Sequence, residues 1–157
     1  MRKQILALVS VVLISACGSG QDSRSATAPR NADEAAQQMV SLLNSERSSR
    51  EIGTLSLSSA LTAAAQIHAN DMASRRYFSH MSPEGSTPQS RVAMQNYNAC
   101  VVAENISKGH ETTTATFRDW MNSPGHRDNN LRETVSEIGV GFAPGDYWVL
   151  LFAKPGC

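Results

Sequence analysis

Tyr147-Trp148-Val149-Leu150-Leu151-Phe152-Ala153-Lys154 is the stretch whose reading decides the fold. Tyr147, Val149 and Leu151 alternate with Trp148, Leu150 and Phe152, so a strand made of these residues is apolar on both faces and must be covered on both. Residues 135–143 read as a second strand, and Pro144-Gly145-Asp146 between the two predicts a hairpin loop. A third strand is expected over residues 100–106. The rest of the pattern is helical. Asp33 is placed to cap a helix whose apolar positions are Ala36, Met39, Val40, Leu42 and Leu43 and which turns polar over residues 44–49. Ser58 or Ser59 opens a second helix running to about Arg76, with Leu61, Ala64, Ala65, His68 and Met72 on one stripe. Short helices follow at Thr87-Pro88, after Thr112 or Thr113, and from Ser123 to about Leu131, where Pro124 separates the last two. Helices on both sides of a strand that is apolar on both sides give an α+β fold: a three-layer α/β/α sandwich around a small, largely antiparallel sheet.

The 157 residues favour one domain, and 41% hydrophobic against 18% charged residues exclude a disordered chain or a long coiled coil. Fourteen basic residues balance fourteen acidic ones without a basic cluster, which argues against nucleic acid as a partner. Arg2 and Lys3 precede an apolar run over residues 5–16, too short to span a bilayer, and this reads as an export signal. Leu13-Ile14-Ser15-Ala16-Cys17 resembles a bacterial lipobox, in which the Cys is lipidated after cleavage; the alternative is a soluble export signal in which Cys17 is incidental. The expected organisation is a lipoprotein signal peptide at 1–16, a lipidated Cys17 with a flexible tether at 17–32, and a folded domain at 33–157. Such a tether reaches about 20 Å, so the domain would hang near the membrane without entering it. Gly18 after the Cys points weakly to an outer membrane.

Two carboxylates interrupt apolar strand faces. Glu104 shares a face with Cys100, Val102 and Ile106, and Glu137 shares one with Val135, Gly139 and Gly141. Each must find partners or lose its charge, and a buried structural hydrogen bond is as good a reading as a functional one. The glycines beside Glu137 leave either open surface or a seat for a closely packed helix. Of the four histidines, His68 on the helical stripe reads as a satisfied core residue, and His110 has no special claim. His80 follows the end of its helix and precedes a Ser82-Pro83-Glu84-Gly85 loop. His126 is the third residue of its helix, where the dipole and free amides favour a neutral imidazole, the form that binds metals or accepts protons.

Tyr77-Phe78-Ser79-His80, Glu104-Asn105-Ile106, Trp120-Met121-Asn122-Ser123-Pro124-Gly125-His126-Arg127 and Glu137-Ile138-Gly139-Val140-Gly141 occur in this order. The string resembles the CAP superfamily of cysteine-rich secretory, antigen 5 and pathogenesis-related proteins, in its short bacterial SCP-like branch. The resemblance implies the same α/β/α sandwich and a cleft where two His and two Glu meet, with His80 and His126 as the paired imidazoles and Glu104 and Glu137 as the paired acids. Ala103 and Asn130 depart from the residues usual at those places in bacterial relatives. The implied site would hold Zn2+ or another divalent cation on His80 and His126, with the carboxylates reaching it through water. Two functions share these residues. One is a binding module for an envelope lipid, a sterol-like molecule or a polysaccharide; the other is a metal-dependent, peptidase-like hydrolase with Glu104 or Glu137 as general base. Binding is favoured, because there is no Gly-x-Ser-x-Gly turn, no His-Glu-x-x-His helix and no third metal nitrogen. Lipidation of Cys17 leaves Cys100 and Cys157 as an even pair, expected to form a disulfide in an oxidising envelope; two free thiols are the alternative.

Overall fold

The computed structural model describes residues 27–156. The expected signal peptide, the lipidation site Cys17, most of the tether and Cys157 lie outside the described residues. Helix α1 spans Ala32–Ser49 and is capped by Asn31, whose side chain accepts from the Glu34 amide at 2.9 Å. The expected cap, Asp33, stands instead in the first turn with Glu34, where its charge opposes the helix dipole. The helix also runs through the polar residues 44–49, because two of them bond inward. Asn44 exchanges hydrogen bonds with the backbone of Leu55 at 2.8 and 2.9 Å. Arg47, 1% exposed, donates to the carbonyls of Gly53, Asn130 and Arg132. Their polarity thus marks an internal tie between α1 and two loops.

A two-residue strand β1, Ser56–Leu57, precedes α2, Ser59–Arg75, which ends where Arg76 turns left-handed at φ 57°. Helix α3, Pro88–Ala93, is closed by a reciprocal capping box between Thr87 and Ser90. Strand β2, Ala99–Lys108, leads into α4, Thr113–Asn122, and α5, Pro124–Asn130, with Ser123 serving both as the last cap and the next first one. Strands β3, Glu137–Ala143, and β4, Tyr147–Pro155, complete the hairpin. The sheet order is β1-β3-β4-β2, antiparallel except for the β1–β3 pair. Strand β1 escaped the sequence reading because two residues carry no periodicity.

Strand β4 is buried on both faces, as its alternation requires. Trp148, Leu150 and Phe152 pack with Met39 and Leu43 of α1 and Trp120 of α4. Val149, Leu151 and Ala153 pack with Leu61, Ala65 and Met72 of α2 and Val92 of α3. Gly139 and Gly141 do not leave open surface. A Cβ at either would run into the backbone of α2, at Leu61 and Ala65 respectively, so these glycines are the seat of a helix pressed onto the sheet.

Candidate functional site

The site forms along the outer edge of β2. Glu104 pairs with Leu151 in the sheet, and its side chain is 2% exposed. Both of its oxygens are taken: His80 Nδ1 lies 2.8 Å from Oε1, and Arg91 donates to Oε2 at 2.6 Å. For a carboxylate held this way, a guanidinium and an imidazole stand in place of the water it has lost on burial. Arg91, 3% exposed, also donates to the carbonyls of His80 (3.0 Å) and Ser86 (2.9 Å), so it fixes the ring's partner and the ring's own backbone together.

His80 is positioned by the way α2 ends. After the left-handed turn at Arg76, Tyr77 donates to Asp71 at 2.5 Å, and the Ser79 carbonyl meets Nε2 of His68 at 2.9 Å. His68 is the core histidine expected, and burial, followed by the nearby Arg91 charge, holds its pKa below the ordinary value. The His80 ring turns Nδ1 to Glu104, which leaves Nε2 free of that bond on a side chain 55% exposed.

His126 reaches the same edge from the other helical layer. Asn105, next to Glu104 but on the opposite face of β2, donates to the His126 carbonyl at 3.0 Å and to Asn130 Oδ1 at 2.9 Å. Asn129 returns a bond to Asn105 at 2.9 Å and reaches the Glu104 carbonyl at 3.4 Å. Trp120 Nε1 donates to the Ile106 carbonyl at 3.2 Å, so side chains of α4 and α5 blunt the free edge of β2. Asn130, one of the two departures from the family pattern, is fully buried in this network. The His126 ring lies 6.4 Å from that of Trp120, and its Nδ1 is buried without a hydrogen-bond partner. Burial lowers its pKa; Asp119 opposes that shift, and the charge of His80 adds to it.

Glu137 does not join them. It shares a sheet row with Ala153 and Val102, whereas Glu104 lies two rows along, with Leu151 and Gly139. The two carboxylates are on one face, but two strand spacings across and one residue pair along separate their Cα atoms by about 12 Å. Leu151 and the seat of α2 on Gly139 fill the space between. Glu137 instead accepts from the Tyr97 hydroxyl at 3.0 Å, and burial with this carboxylate raises the Tyr97 pKa to about 12. Of the two His and two Glu expected to meet, the structure joins His80 to Glu104 and ties His126 through its backbone carbonyl to the adjacent Asn105, and Arg91 is the member that sequence reasoning missed. The available signal was an Arg beside Val92 on a six-residue helix with little other core to offer.

The donor set does not fit a resident metal. Among the described residues no group of three or more His, Cys, Asp or Glu is arranged to hold one. Glu104 has spent both oxygens, Glu137 is elsewhere, and the buried Nδ1 of His126 has no acceptor to orient that ring as a ligand. Beside Arg91, on the α2–α3 side, lies a cavity of about 180 Å³ lined by His68, Asp71 and Arg91 among others, with the exposed Ile67 and Met94 on its wall.

A model of the CAP cysteine-rich secretory protein family matches residues 40–152. The uncharacterized protein YkwD of Bacillus subtilis is 32% identical over 127 residues, 80% of this chain and 49% of that protein. The uncharacterized membrane protein YlbC of the same organism is 28% identical over 67% of this chain and 30% of its own length. The chain therefore spans about half of one curated relative and under a third of the other. An extracellular protein of Bacillus anthracis containing an SCP domain superposes with a TM-score of 0.75 at 30% identity, over 78% of this chain and 41% of that one. An outer surface protein of Borrelia burgdorferi does so with a TM-score of 0.73 at 23% identity, over 80% and 96% of the two chains, a likeness of fold.

Proposed function

The chain belongs to the CAP cysteine-rich secretory protein family, and from that premise we propose that it is an exported, envelope-anchored domain that binds its ligand rather than turning it over. The observation that carries this reading is the double engagement of Glu104. A general base needs a free lone pair facing substrate water, and here one oxygen is held by His80, the other by Arg91, on a side chain closed to solvent. The other expected base, Glu137, faces Tyr97. What remains accessible is His80, with Phe78 (49% exposed) and Met81 (54% exposed) beside it in the chain. An exposed ring beside hydrogen-bonding imidazoles suits an envelope polysaccharide better than a lipid. The test is co-sedimentation of the purified mature chain with peptidoglycan and, separately, with lipid vesicles. Retention on the glycan that falls at least tenfold in His80→Ala is the expected result; retention on vesicles alone by a Cys17→Ser chain counts against the reading.

The pairing of a buried carboxylate with an imidazole favours one second reading, a hydrolase in which His80 Nε2 is the base and Glu104 only orients it. In that case Glu104→Gln lowers turnover of a peptide or glycan substrate by orders of magnitude, while Glu137→Gln leaves it unchanged.

Anchoring through Cys17 and a disulfide between Cys100 and Cys157 belong to the same proposal. Export is supported by the likeness to the extracellular Bacillus anthracis protein. For the disulfide the support is local: Cys100 Sγ lies 3.9 Å from the Pro155 carbonyl, and the Gly156 amide donates to Asn98 at 3.1 Å. Closing a loop of about 58 residues would stabilise the domain by about 4 kcal/mol on the chain-entropy model. Fractionation and intact mass test the first; thiol alkylation under non-reducing, denaturing conditions tests the second.

A further inference from the structure

The large apolar side chains exposed on this chain are not scattered. Leu57 apart, those exposed among the described residues are Ile67 on α2, Phe78 and Met81 on the segment after it, and Met94 at the C-cap of α3. Ile67 and Met94 both stand on the wall of the cavity beside Arg91, and Met81 precedes Ser82, which also lines it. Apolar residues exposed singly are ordinary, but a group of them around one concavity marks a binding site. Most of the remaining lining is polar. Asp71 accepts from Tyr77, the Ser82 hydroxyl accepts from the Ser86 amide at 3.1 Å, and the Ser86 hydroxyl lies 3.2 Å from that of Ser90. Each of these three side chains keeps a lone pair or a proton for a further bond.

The charges of this lining are already matched. Arg91 meets Glu104 at 2.6 Å, and Asp71 lies 3.6 Å from Arg75. A phosphate, a carboxylate or a cation would find no free counter-charge here, so the cavity suits an uncharged ligand. An acyl chain would pack on Ile67 and Met94 but would strip water from Asp71, Ser82 and Ser86 without replacing its bonds. A pyranose meets both demands, its C–H face on the apolar pair and its hydroxyls toward the polar residues. The volume of about 180 Å³, below the roughly 300 Å³ of a drug-sized pocket, takes one sugar unit rather than an oligosaccharide. Arg91 adds a finer selection. Its terminal nitrogens are engaged by Ser86, His80 and Glu104, whereas its Nε is buried with no partner. Such a donor calls for an acceptor, and an acetamido group carries one together with a methyl for the apolar wall. We therefore propose that the cavity between α2 and α3 is a subsite for one uncharged, N-acetylated pyranose unit of an envelope glycan. The proposal rests on the binding reading above and names where a sugar unit of that glycan sits.

The experiment is a 15N–1H amide NMR titration of the mature chain carrying Cys17→Ser, so that no anchor contributes. The probes are chitotetraose, cellotetraose, which has the same ring linkage without acetamido groups, and phosphatidylcholine vesicles. The expected result is that chitotetraose shifts the amides of Ile67, Asp71, Ser82, Ser86 and Met94 and binds about fivefold tighter, or more, than cellotetraose. Met94→Glu, which puts a charge on the exposed wall, should lower that affinity by about tenfold with the rest of the spectrum unchanged, whereas Leu57→Glu, exposed on β1, should leave it within about twofold. Asp71→Asn keeps an acceptor for Tyr77 and should hold the affinity within about threefold, because the ligand is neutral. Shifts confined to residues 78–81 overturn the cavity and leave glycan binding at His80 standing. No shift with chitotetraose at any residue overturns it as well, and if retention on peptidoglycan also fails, the binding reading falls with it. Cavity shifts produced by vesicles and by neither oligosaccharide overturn it in favour of a lipid, and equal affinity for the two oligosaccharides overturns the acetamido assignment.

Discussion

Glu104 and Glu137 stand on the same face of one sheet, two rows apart, and have opposite fates. Glu104 is closed to solvent and tied to two cationic or cation-forming side chains, whereas Glu137 is partly exposed and holds one phenol. The difference comes from what the neighbouring elements bring. Strand β2 lies at the sheet edge, where α3 delivers Arg91 and the end of α2 delivers His80. Strand β3 lies inside, under α2, where glycines leave no room for a second polar cluster. A strand position that forces a carboxylate onto an apolar face thus defines a need, and only the packing layer decides whether a network or a single hydrogen bond meets it.

The largest break in this comparison is Arg91→Ala. It leaves Glu104 buried beside a half-exposed imidazole and frees two carbonyls that held the His80 and Ser86 loops, so urea denaturation should show a loss of about 3–5 kcal/mol. A loss under 1 kcal/mol would mean that water reaches Glu104 and that the network is not closed.

Next is Gly139→Ala, which tests the other half of the comparison. The added methyl meets the Leu61 backbone, so α2 must lift from β3, at a cost of about 1–3 kcal/mol. Near-UV circular dichroism would register the lifted helix through the repacked core. An unchanged midpoint would show that the face around Glu137 has slack, and the separation of the two carboxylates would need another cause.

How much of this was legible beforehand follows the same division. The alternation of residues 147–152 required layers on both sides of β4, and helix spacing supplied them, so the sandwich needed no coordinates. Periodicity also placed Glu104 and Glu137 on apolar faces correctly. It could not give the register that puts them in different rows, because register is a pairing between strands distant in sequence. Nor could it show that Asn44 and Arg47, polar at the end of α1, point inward, or that Arg91 is the hub. A buried Arg reads as a surface Arg until its acceptors, two carbonyls and a carboxylate from three segments, are brought to it.

A smaller effect concerns the histidine buried beneath the Glu104 side. The folded-state pKa of His68 is held below the ordinary value of 6.5, foremost by burial, and that of His126 likewise. As pH falls, the unfolded chain takes up these protons before the folded one. The contribution is therefore intact above about pH 7 and is lost progressively as pH drops through 6.5 toward the lower folded values. The urea midpoint should fall between pH 7.5 and 5.5, and His68→Gln, which retains a donor for the Ser79 carbonyl, should flatten that slope. A midpoint rising on acidification would contradict the sign.

The smallest effect is at Glu137, and it sharpens the comparison by its size. Tyr97→Phe removes one hydroxyl that donates to a carboxylate with partial access to water, so Glu137 recovers a water molecule and the loss should be about 0.5–1.5 kcal/mol. The same pair offers a spectroscopic check. Burial first and the Glu137 carboxylate second push the Tyr97 phenol up to about 12, so Glu137→Gln should lower the titration of one tyrosine only part of the way in ultraviolet absorbance at alkaline pH. If Tyr97→Phe instead costs as much as Arg91→Ala, Glu137 is as closed to solvent as Glu104. The two carboxylates would then differ in partners alone, and the edge position of β2 would no longer explain why the network forms there.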